Sequence, residues 1–540
     1  MSALTGTVPL VCLALRRDRI ALPAWTLGLA VYAGTTTALW ANQYRDAADL
    51  VPEVTMTASN AGIRMLGLAS GASVGAYTMV RNLVLLAVLA ALMSIFAVVR
   101  HTRQGEETAR AELVGAAVVG RQSGLAAALV VTAGANAVLA VTLSLAMILA
   151  GQPAAGSLTA GAAVAAVGLG FTGVAAVTSQ LASSTRGASG LAAAVLGVAF
   201  LLSGIGNMAG RVDPSGLRVE SAWPTWLSPI GWAQQARPFG GDDWRPLALA
   251  VAALLAGAAA AALLAARRDF GHGILTQRRG PGRASRALCS PLGLAVRLQR
   301  GALIGWSVGL VGFGAVMGGL AGQVEQTTGS ARDWYLELGG GGQILDAYRA
   351  SVMQMAGAAA AVYTVQALLR MRTEEAAGQL EPILATGVSR ARWVASHALA
   401  ALLGATALML LFAASMGLAA GAALGDPAGQ VRAVIGAGLP QLPAIAAIGA
   451  GVVAATGLAP RVAVAASWAM LMASVLFGPL FGPTLAIPGW VRDLSPFSHV
   501  PRAPADPVTA GPILALVAVV AVLGLTGLYA IRRRDLALPA

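Results

Sequence analysis

Two short segments concentrate glutamates in a chain that is otherwise poor in acids. They read His101-Thr102-Arg103-Gln104-Gly105-Glu106-Glu107-Thr108-Ala109-Arg110-Ala111-Glu112 and Met371-Arg372-Thr373-Glu374-Glu375-Ala376-Ala377-Gly378-Gln379-Leu380-Glu381. Glu106, Glu107 and Glu112 are bracketed by Arg103 and Arg121; Glu374, Glu375 and Glu381 are bracketed by Arg372 and Arg390. Acid in the early turns and arginine at the end suit the two poles of a short helix. The chemistry this offers is charge-complementary docking of a soluble partner. A solvated loop is the plain alternative, but it does not require six glutamates where acids are scarce. Catalysis has no support: the apolar stretches hold no His-Glu-x-x-His, no aspartate pair and no Gly-x-Ser-x-Gly.

Nucleotide hydrolysis within the chain is excluded by composition. A P-loop places a lysine on the β- and γ-phosphates, and the sequence contains no lysine. No polar block is long enough for a nucleotide-binding domain. Energy for any work must come from another polypeptide or from a gradient.

The elements that position these segments are apolar. Of 540 residues, 57% are hydrophobic and 11% charged, and the mean hydropathy is +0.72. A soluble domain carries about 25% charged residues. Twelve stretches contain no Asp, Glu, Lys or Arg: 20–40, 82–99, 122–150, 158–182, 187–209, 246–266, 301–321, 353–369, 393–420, 433–457, 462–483 and 511–531. Each approaches or exceeds the roughly 20 residues a helix needs to cross hydrocarbon. The fold class expected is therefore an all-α polytopic membrane protein of about twelve spans.

All 36 basic residues are arginine. With both termini in the cytosol, most of them fall in inner segments, among them Arg16, Arg17, Arg19, Arg100, Arg103, Arg110, Arg121, Arg370, Arg372, Arg390, Arg392 and Arg532 to Arg534. That bias is the positive-inside pattern. The net charge of +13 then reports topology and contact with membrane lipid, not nucleic acid. Residues Met1–Leu15 lack the basic start of a secretory signal and are followed by Arg16-Arg17-Asp18-Arg19, so they read as an amphipathic elbow helix at the inner interface.

The chain repeats itself. Arg16, Arg19, Trp25 and Gly28 match Arg297, Arg300, Trp306 and Gly309 at one offset. Arg103, Glu106, Glu112 and Arg121 match Arg372, Glu375, Glu381 and Arg390 at a second offset, and Leu227-Ser228-Pro229 matches Leu494-Ser495-Pro496. Six spans per half is an even number, so the halves run parallel about an axis along the membrane normal. The organisation expected is a first half at 1–266, a cytosolic linker at 267–289 and a second half at 290–540.

The run from Arg372 to Arg390, with Glu374-Glu375 and Gly378-Gln379-Leu380-Glu381-Pro382-Ile383-Leu384-Ala385-Thr386-Gly387-Val388-Ser389, resembles the inner loop of ABC-2-type exporter permeases. The elbow helices, the two six-helix halves and the Leu-Ser-Pro loops are also similar to that family. The likeness is greatest to the twelve-helix permeases of actinobacterial polyketide-antibiotic and multidrug exporters, the tetronasin-resistance type. It implies a type V exporter-like pseudo-dimer in a bacterial plasma membrane, exporting hydrophobic or amphipathic molecules such as drugs, antibiotics or lipids. It also implies two copies of a cytosolic ATPase subunit that bind ATP and magnesium, with no cofactor in this chain. Arg103, Glu106, Glu107, Glu112 and Arg121, with Arg372, Glu374, Glu375, Glu381 and Arg390, would couple to that ATPase. In the first half the pattern departs: Gly105 stands where Glu374 stands, and Val118 where Gly387 stands. The two loops therefore need not couple equally.

A gradient-driven carrier of the major-facilitator kind shares the twelve-span plan. Proton or sodium coupling ordinarily leaves an ionisable group in the membrane, and the only candidate in the twelve stretches is His397. A substrate path could run past Phe96, Asn136, Phe200, Asn207, Met208, Met355, Tyr363, Met470, Phe477 and Phe481, since methionine and aromatic surfaces adapt to varied apolar cargo. Packing is the competing role for each. Gly305/Gly309 and Gly314/Gly318 have the spacing that lets helices approach closely. Trp40, Trp244 and Trp393 fit interfacial anchors, and the scattered His101, His272 and His499 form no metal site.

Overall fold

Uncharged runs of this length leave backbone groups no partner in hydrocarbon except each other, which dictates helices. The computed structural model describes residues 2–44, 46–59, 61–269, 271–275, 282–324, 343–480, 487–504 and 506–535. Among these, ten helices are long and apolar enough to cross a membrane, and the chain is a multi-pass α-helical membrane protein. It divides into two units, Met1–Arg279 and Gly280–Ala540.

The first unit runs α1 (Thr7–Arg17), α2 (Ala21–Gln43), α3 (Val74–His101), α4 (Ser123–Leu149), α5 (Ala154–Leu181), α6 (Thr185–Met208) and α7 (Leu247–Arg267). Its core lies along α3, α4 and α5, including Leu86, Ala90, Leu139, Val164, Val167 and Phe171. At the far end of α2 from α1, helix Ala47–Ser59 packs Leu50, Val54 and Ala58 against Tyr77, Val80 and Val219. A small antiparallel pair, Arg211–Val212 with Val219–Glu220, belongs to that end.

The second unit runs α8 (Pro291–Gly319), α9 (Ile344–Ala376), α10 (Arg390–Leu424), α11 (Pro427–Leu458), α12 (Ala463–Phe477) and α13 (Ala510–Arg533). Tyr363, Leu408, Phe412, Ile445 and Val452 sit in its core. Serine starts several helices, its side-chain oxygen accepting from a backbone N–H of the first turn: Ser73 for α3, Ser184 for α6, Ser290 for α8 and Ser389 for α10. Such caps satisfy donors that the first turn leaves free.

The sequence expectation of twelve spans differs from the ten at two places. The first stretch does form α2, but Thr35-Thr36-Thr37 and Asn42-Gln43 make it more polar than the ten. The eleventh, expected over 462–483, is helical over Ala463–Phe477, 15 residues; residues 481–486 lie outside the described part.

Matching helices cross in the same way in each unit. A methyl on Gly173 of α5 would lie 2.7 Å from the carbonyl oxygen of Ala253, and one on Gly257 of α7 would meet the Gly173 backbone at 2.6 Å. In the second unit a methyl on Gly457 of α11 would lie 2.5 Å from the Gly527 carbonyl of α13. Only glycine permits backbones this close. The Leu-Ser-Pro loops also recur as structure. Ser228 donates to the Ala199 carbonyl of α6 at 2.7 Å, and Ser495 donates to the Ser474 carbonyl of α12 at 2.7 Å.

Candidate functional site

The two glutamate-rich segments begin as continuations of α3 and α9. After α3, Arg103–Glu107 and Arg110–Gly115 form two short helices; after α9 comes Leu380–Ala385. The turn between them needs a left-handed residue in both units. Gly378 takes it at φ 69°, and the equivalent Ala109 takes it at φ 56°. For alanine that conformation costs roughly 1–2 kcal/mol.

The acids do not all face solvent. Glu106 accepts from Arg103 at 2.9 Å and from both terminal nitrogens of Arg268, the nearer pairing Nη2 with Oε1 and the other at 2.8 Å. Glu375 is held by Arg534, with Nη2 to Oε2 at 2.7 Å, and Arg372 lies 3.7 Å away. Bidentate guanidinium–carboxylate pairs of this kind fix position as well as charge. Arg103 also donates twice to the Ser179 carbonyl at the end of α5, at 3.1 and 2.7 Å. Arg372 donates to the Pro460 carbonyl beyond α11 at 3.0 Å.

Arg121 and Arg390 complete the arrangement. Arg121 donates to the carbonyls of Ala265 and Arg268, both at 3.1 Å, and Arg390 to those of Ile531 and Arg534, at 3.1 and 2.6 Å. These oxygens end α7 and α13, where helices leave carbonyls without partners. Each charged loop is thus clasped to the last helix of its own unit by a glutamate–arginine pair and an arginine cap. Arg268 and Arg534 were not singled out in the sequence. The signal was there in the repeated Arg267-Arg268-Asp269 and Arg533-Arg534-Asp535.

A second acid in each unit faces the preceding turn from a different origin. Asp18, between α1 and α2, accepts from Arg100 at 2.6 Å and lies 2.7 Å from His101 Nε2. Burial pushes its carboxyl up, but the hydrogen bonds from His101 and Arg100 outweigh that and hold it below its ordinary value. In the second unit Glu374 accepts from Arg370 at 3.1 Å and from the Trp393 indole at 3.4 Å, and lies 3.3 Å from His397 Nε2. By the repeat alignment Arg370 stands at the place of His101, Glu374 at that of Gly105, and Gln299 at that of Asp18. The acid has moved from the loop to the elbow in one unit, and its target remains a cationic side chain.

These contacts correct several expectations. Glu374 and Glu375 are 2% and 3% exposed and Arg103 is 1% exposed, so they do not offer a soluble partner a hydrated charge. Glu107, Glu112 and Glu381 are exposed; Glu107 accepts from the Thr185 backbone at 2.9 Å, at the start of α6. Trp393, expected as an interfacial anchor, is buried against His397 and Glu374 because it supplies one of that acid's donors. His397 is a buried partner of Glu374, not a lone ionisable group.

The residues suggested for a substrate path occupy different settings within their own units. Asn136 donates to Ser94 at 2.9 Å and joins α4 to α3. Asn207 donates to Gln234 at 2.9 Å and accepts from Ser221 at 2.7 Å. Tyr363 is fully buried in its unit's core, and Phe200 and Met470 are partly buried against theirs. Phe96, Met208, Met355 and Phe477 are exposed, and Phe481 lies outside the described residues. A recess of about 460 Å³ on α8 is lined instead by Gly305, Trp306, Gly309, Phe313 and Gln366, with Trp306 donating to Gln366 at 3.0 Å. Among the described residues no group of three or more His, Cys, Asp or Glu could hold a metal ion.

Apolar membrane helices in two units, each closing a charged loop onto its own last helix, define a polytopic membrane protein. The chain belongs to the family of Rv1217c-type multidrug efflux system permeases. The family model described as "Multidrug efflux system permease Rv1217c, C-terminal domain" matches it over residues 9–268 and 288–532, one stretch in each half. The multidrug efflux system permease protein Rv1217c of Mycobacterium tuberculosis is 38% identical over 540 residues, covering 99% of this chain and 96% of that protein.

Proposed function

We propose that this chain is the permease subunit of an ABC-type multidrug exporter, driven by ATP hydrolysed on a separate polypeptide. Family membership supports a transport subunit and not an enzyme. The observation that carries the coupling reading is the paired clasp. Glu106–Arg268 and Glu375–Arg534 tie each charged loop to the last helix of its unit, so a force on the loop reaches that helix without first distorting the loop. On this reading two ATPase copies bind ATP and magnesium in the cytosol and press on the exposed side of the loops, at Glu107, Glu112 and Glu381. The cargo is a hydrophobic or amphipathic drug, antibiotic or lipid. On the same reading the chain falls within the tetronasin-resistance-like group, and its termini and charged loops lie in the cytosol of a bacterial cell.

Two experiments test this. The purified chain in lipid should hydrolyse no ATP alone, and should confer substrate-stimulated turnover and transport when combined with its ATPase. ATP turnover by the pure chain that is lost on point mutation would sink the proposal. Single cysteines at Thr108 and Ser285 in a cysteine-free background should resist an impermeant thiol reagent in intact cells, while one at Ser215 reacts. The opposite pattern removes the cytosolic docking surface.

A further inference from the structure

We propose that the groove beside α1 binds one anionic glycerophospholipid, its acyl chain between α1, α2 and α4 and its phosphate on Arg19, with Arg16 three residues earlier in the chain adding positive charge. The inference rests on the membrane reading of the chain and not on the identity of the cargo. The groove encloses about 620 Å³ within the first unit, and its walls include Val11, Leu15, Leu22, Leu27, Val130 and Val138. Gly134 and Ala135 open its floor, and a methyl on Gly134 would meet nothing within 4 Å. Its one hydroxyl, on Thr26, is satisfied by the Leu22 carbonyl of its own helix at 3.1 Å. Apart from Arg19, such a slot offers a polar cargo no free partner, but it fits a hydrocarbon tail.

Charge selects the head. Asp18 and Arg19 both line the groove, but Asp18 is taken by Arg100 and His101. The side chains of Arg16 and Arg19 are exposed and make no hydrogen bond or ion pair among the described residues. The local field is therefore positive at a site beside an elbow helix with Arg16 and Arg17 in its last turn, where anionic headgroups are attracted. The chain's own start does not reach in: Thr5 and Ala3 accept from Gly120 and Gln122, which turns residues 2–6 toward the loop before α4.

The test is quantitative lipid analysis of the full chain purified in mild detergent from membranes or vesicles containing equal phosphatidylglycerol and phosphatidylcholine. Wild type should retain phosphatidylglycerol over phosphatidylcholine by at least roughly fivefold, the attraction of about one arginine near a membrane surface. Arg16→Gln with Arg19→Gln should bring that ratio to near one, and Arg19→Lys should keep it. Gly134→Leu fills the slot and should lower retention of both lipids; Leu27→Trp fills the same slot from the opposite wall should the first variant fail to fold. An unchanged ratio in the arginine variant, or undiminished phosphatidylglycerol in a folded slot-filled variant, overturns the proposal. Equal retention of the two lipids by wild type also overturns it, because the groove then reads no charge.

Discussion

In the first unit Arg268 grips Glu106 and Arg121 caps Ala265 and Arg268; in the second, Arg534 grips Glu375 and Arg390 caps Ile531 and Arg534. One device is thus built twice. Around it the units diverge. The second acid comes from Asp18 in one and Glu374 in the other, and the left-handed turn is alanine in one and glycine in the other. Where the device recurs, a shared mechanical demand is the economical explanation. Where its surroundings differ, only neutralisation of the neighbouring cation and closure of the turn have been kept.

The largest effects should come from breaking the shared device. Glu375→Gln leaves Arg534 without its counter-charge in a buried site, a loss of about 3–5 kcal/mol. Glu106→Gln should cost the same order, seen as lower membrane abundance and a lower melting temperature in detergent. Exchanging the charges, with Glu375→Arg and Arg534→Glu together, should recover part of the loss. A large effect in one unit and none in the other would mean that only one clasp bears load.

The relocated acid gives the next effect. Asp18→Asn should cost about 1–3 kcal/mol, the penalty of leaving buried polar partners unmet. Adding Gly105→Glu to that variant restores the second unit's arrangement, and the space exists, since the nearest atom to a methyl there is the Ala111 Cβ at 3.9 Å. Recovery of melting temperature shows that the two acids are interchangeable; no recovery shows that Asp18 also anchors the elbow.

Two faces of α8 sharpen the contrast within one unit. A methyl on Gly318 would meet the Met416 carbonyl of α10 at 2.1 Å, whereas one on Gly309 meets nothing within 4 Å. Gly318→Leu should therefore destabilise by about 1–3 kcal/mol, and Gly309→Leu by under about 0.5 kcal/mol. An effect of opposite sign comes from the turn: Ala109→Gly relieves a left-handed alanine and should raise stability by about 1 kcal/mol. Equal melting temperatures for Ala109→Gly and wild type would show the turn to be unstrained.

Much of this was legible in the sequence. Uncharged runs marked the helices, and matched arginines and glutamates marked the repeat. What the sequence hid was the inside of the charged loops. Six glutamates in a polar segment look alike on paper, and only the approach of Arg268, Arg534, His397 and Trp393 separates the half-buried Glu106 and the buried Glu374 and Glu375 from the exposed Glu107, Glu112 and Glu381. Those partners lie up to 162 residues away, beyond any local pattern. Asn136 and Asn207 were ambiguous for the same reason: an amide that joins two helices and one that lines a path have the same spacing. The first stretch forms α2, a membrane-length helix whose threonine hydroxyls bond their own backbone and lower its apolar character.

The division of the glutamates into buried clasp and exposed edge is tested most directly by Glu107→Lys, Glu112→Lys and Glu381→Lys combined in one chain. Membrane level and partner ATPase retained on purification are scored together against Glu375→Gln. The triple variant should reach wild-type membrane level yet retain roughly tenfold less ATPase, a loss of about 1.4 kcal/mol in docking, while Glu375→Gln loses the folded chain itself. Full ATPase retention and transport by the triple variant would contradict the assignment of the exposed edge as the docking surface.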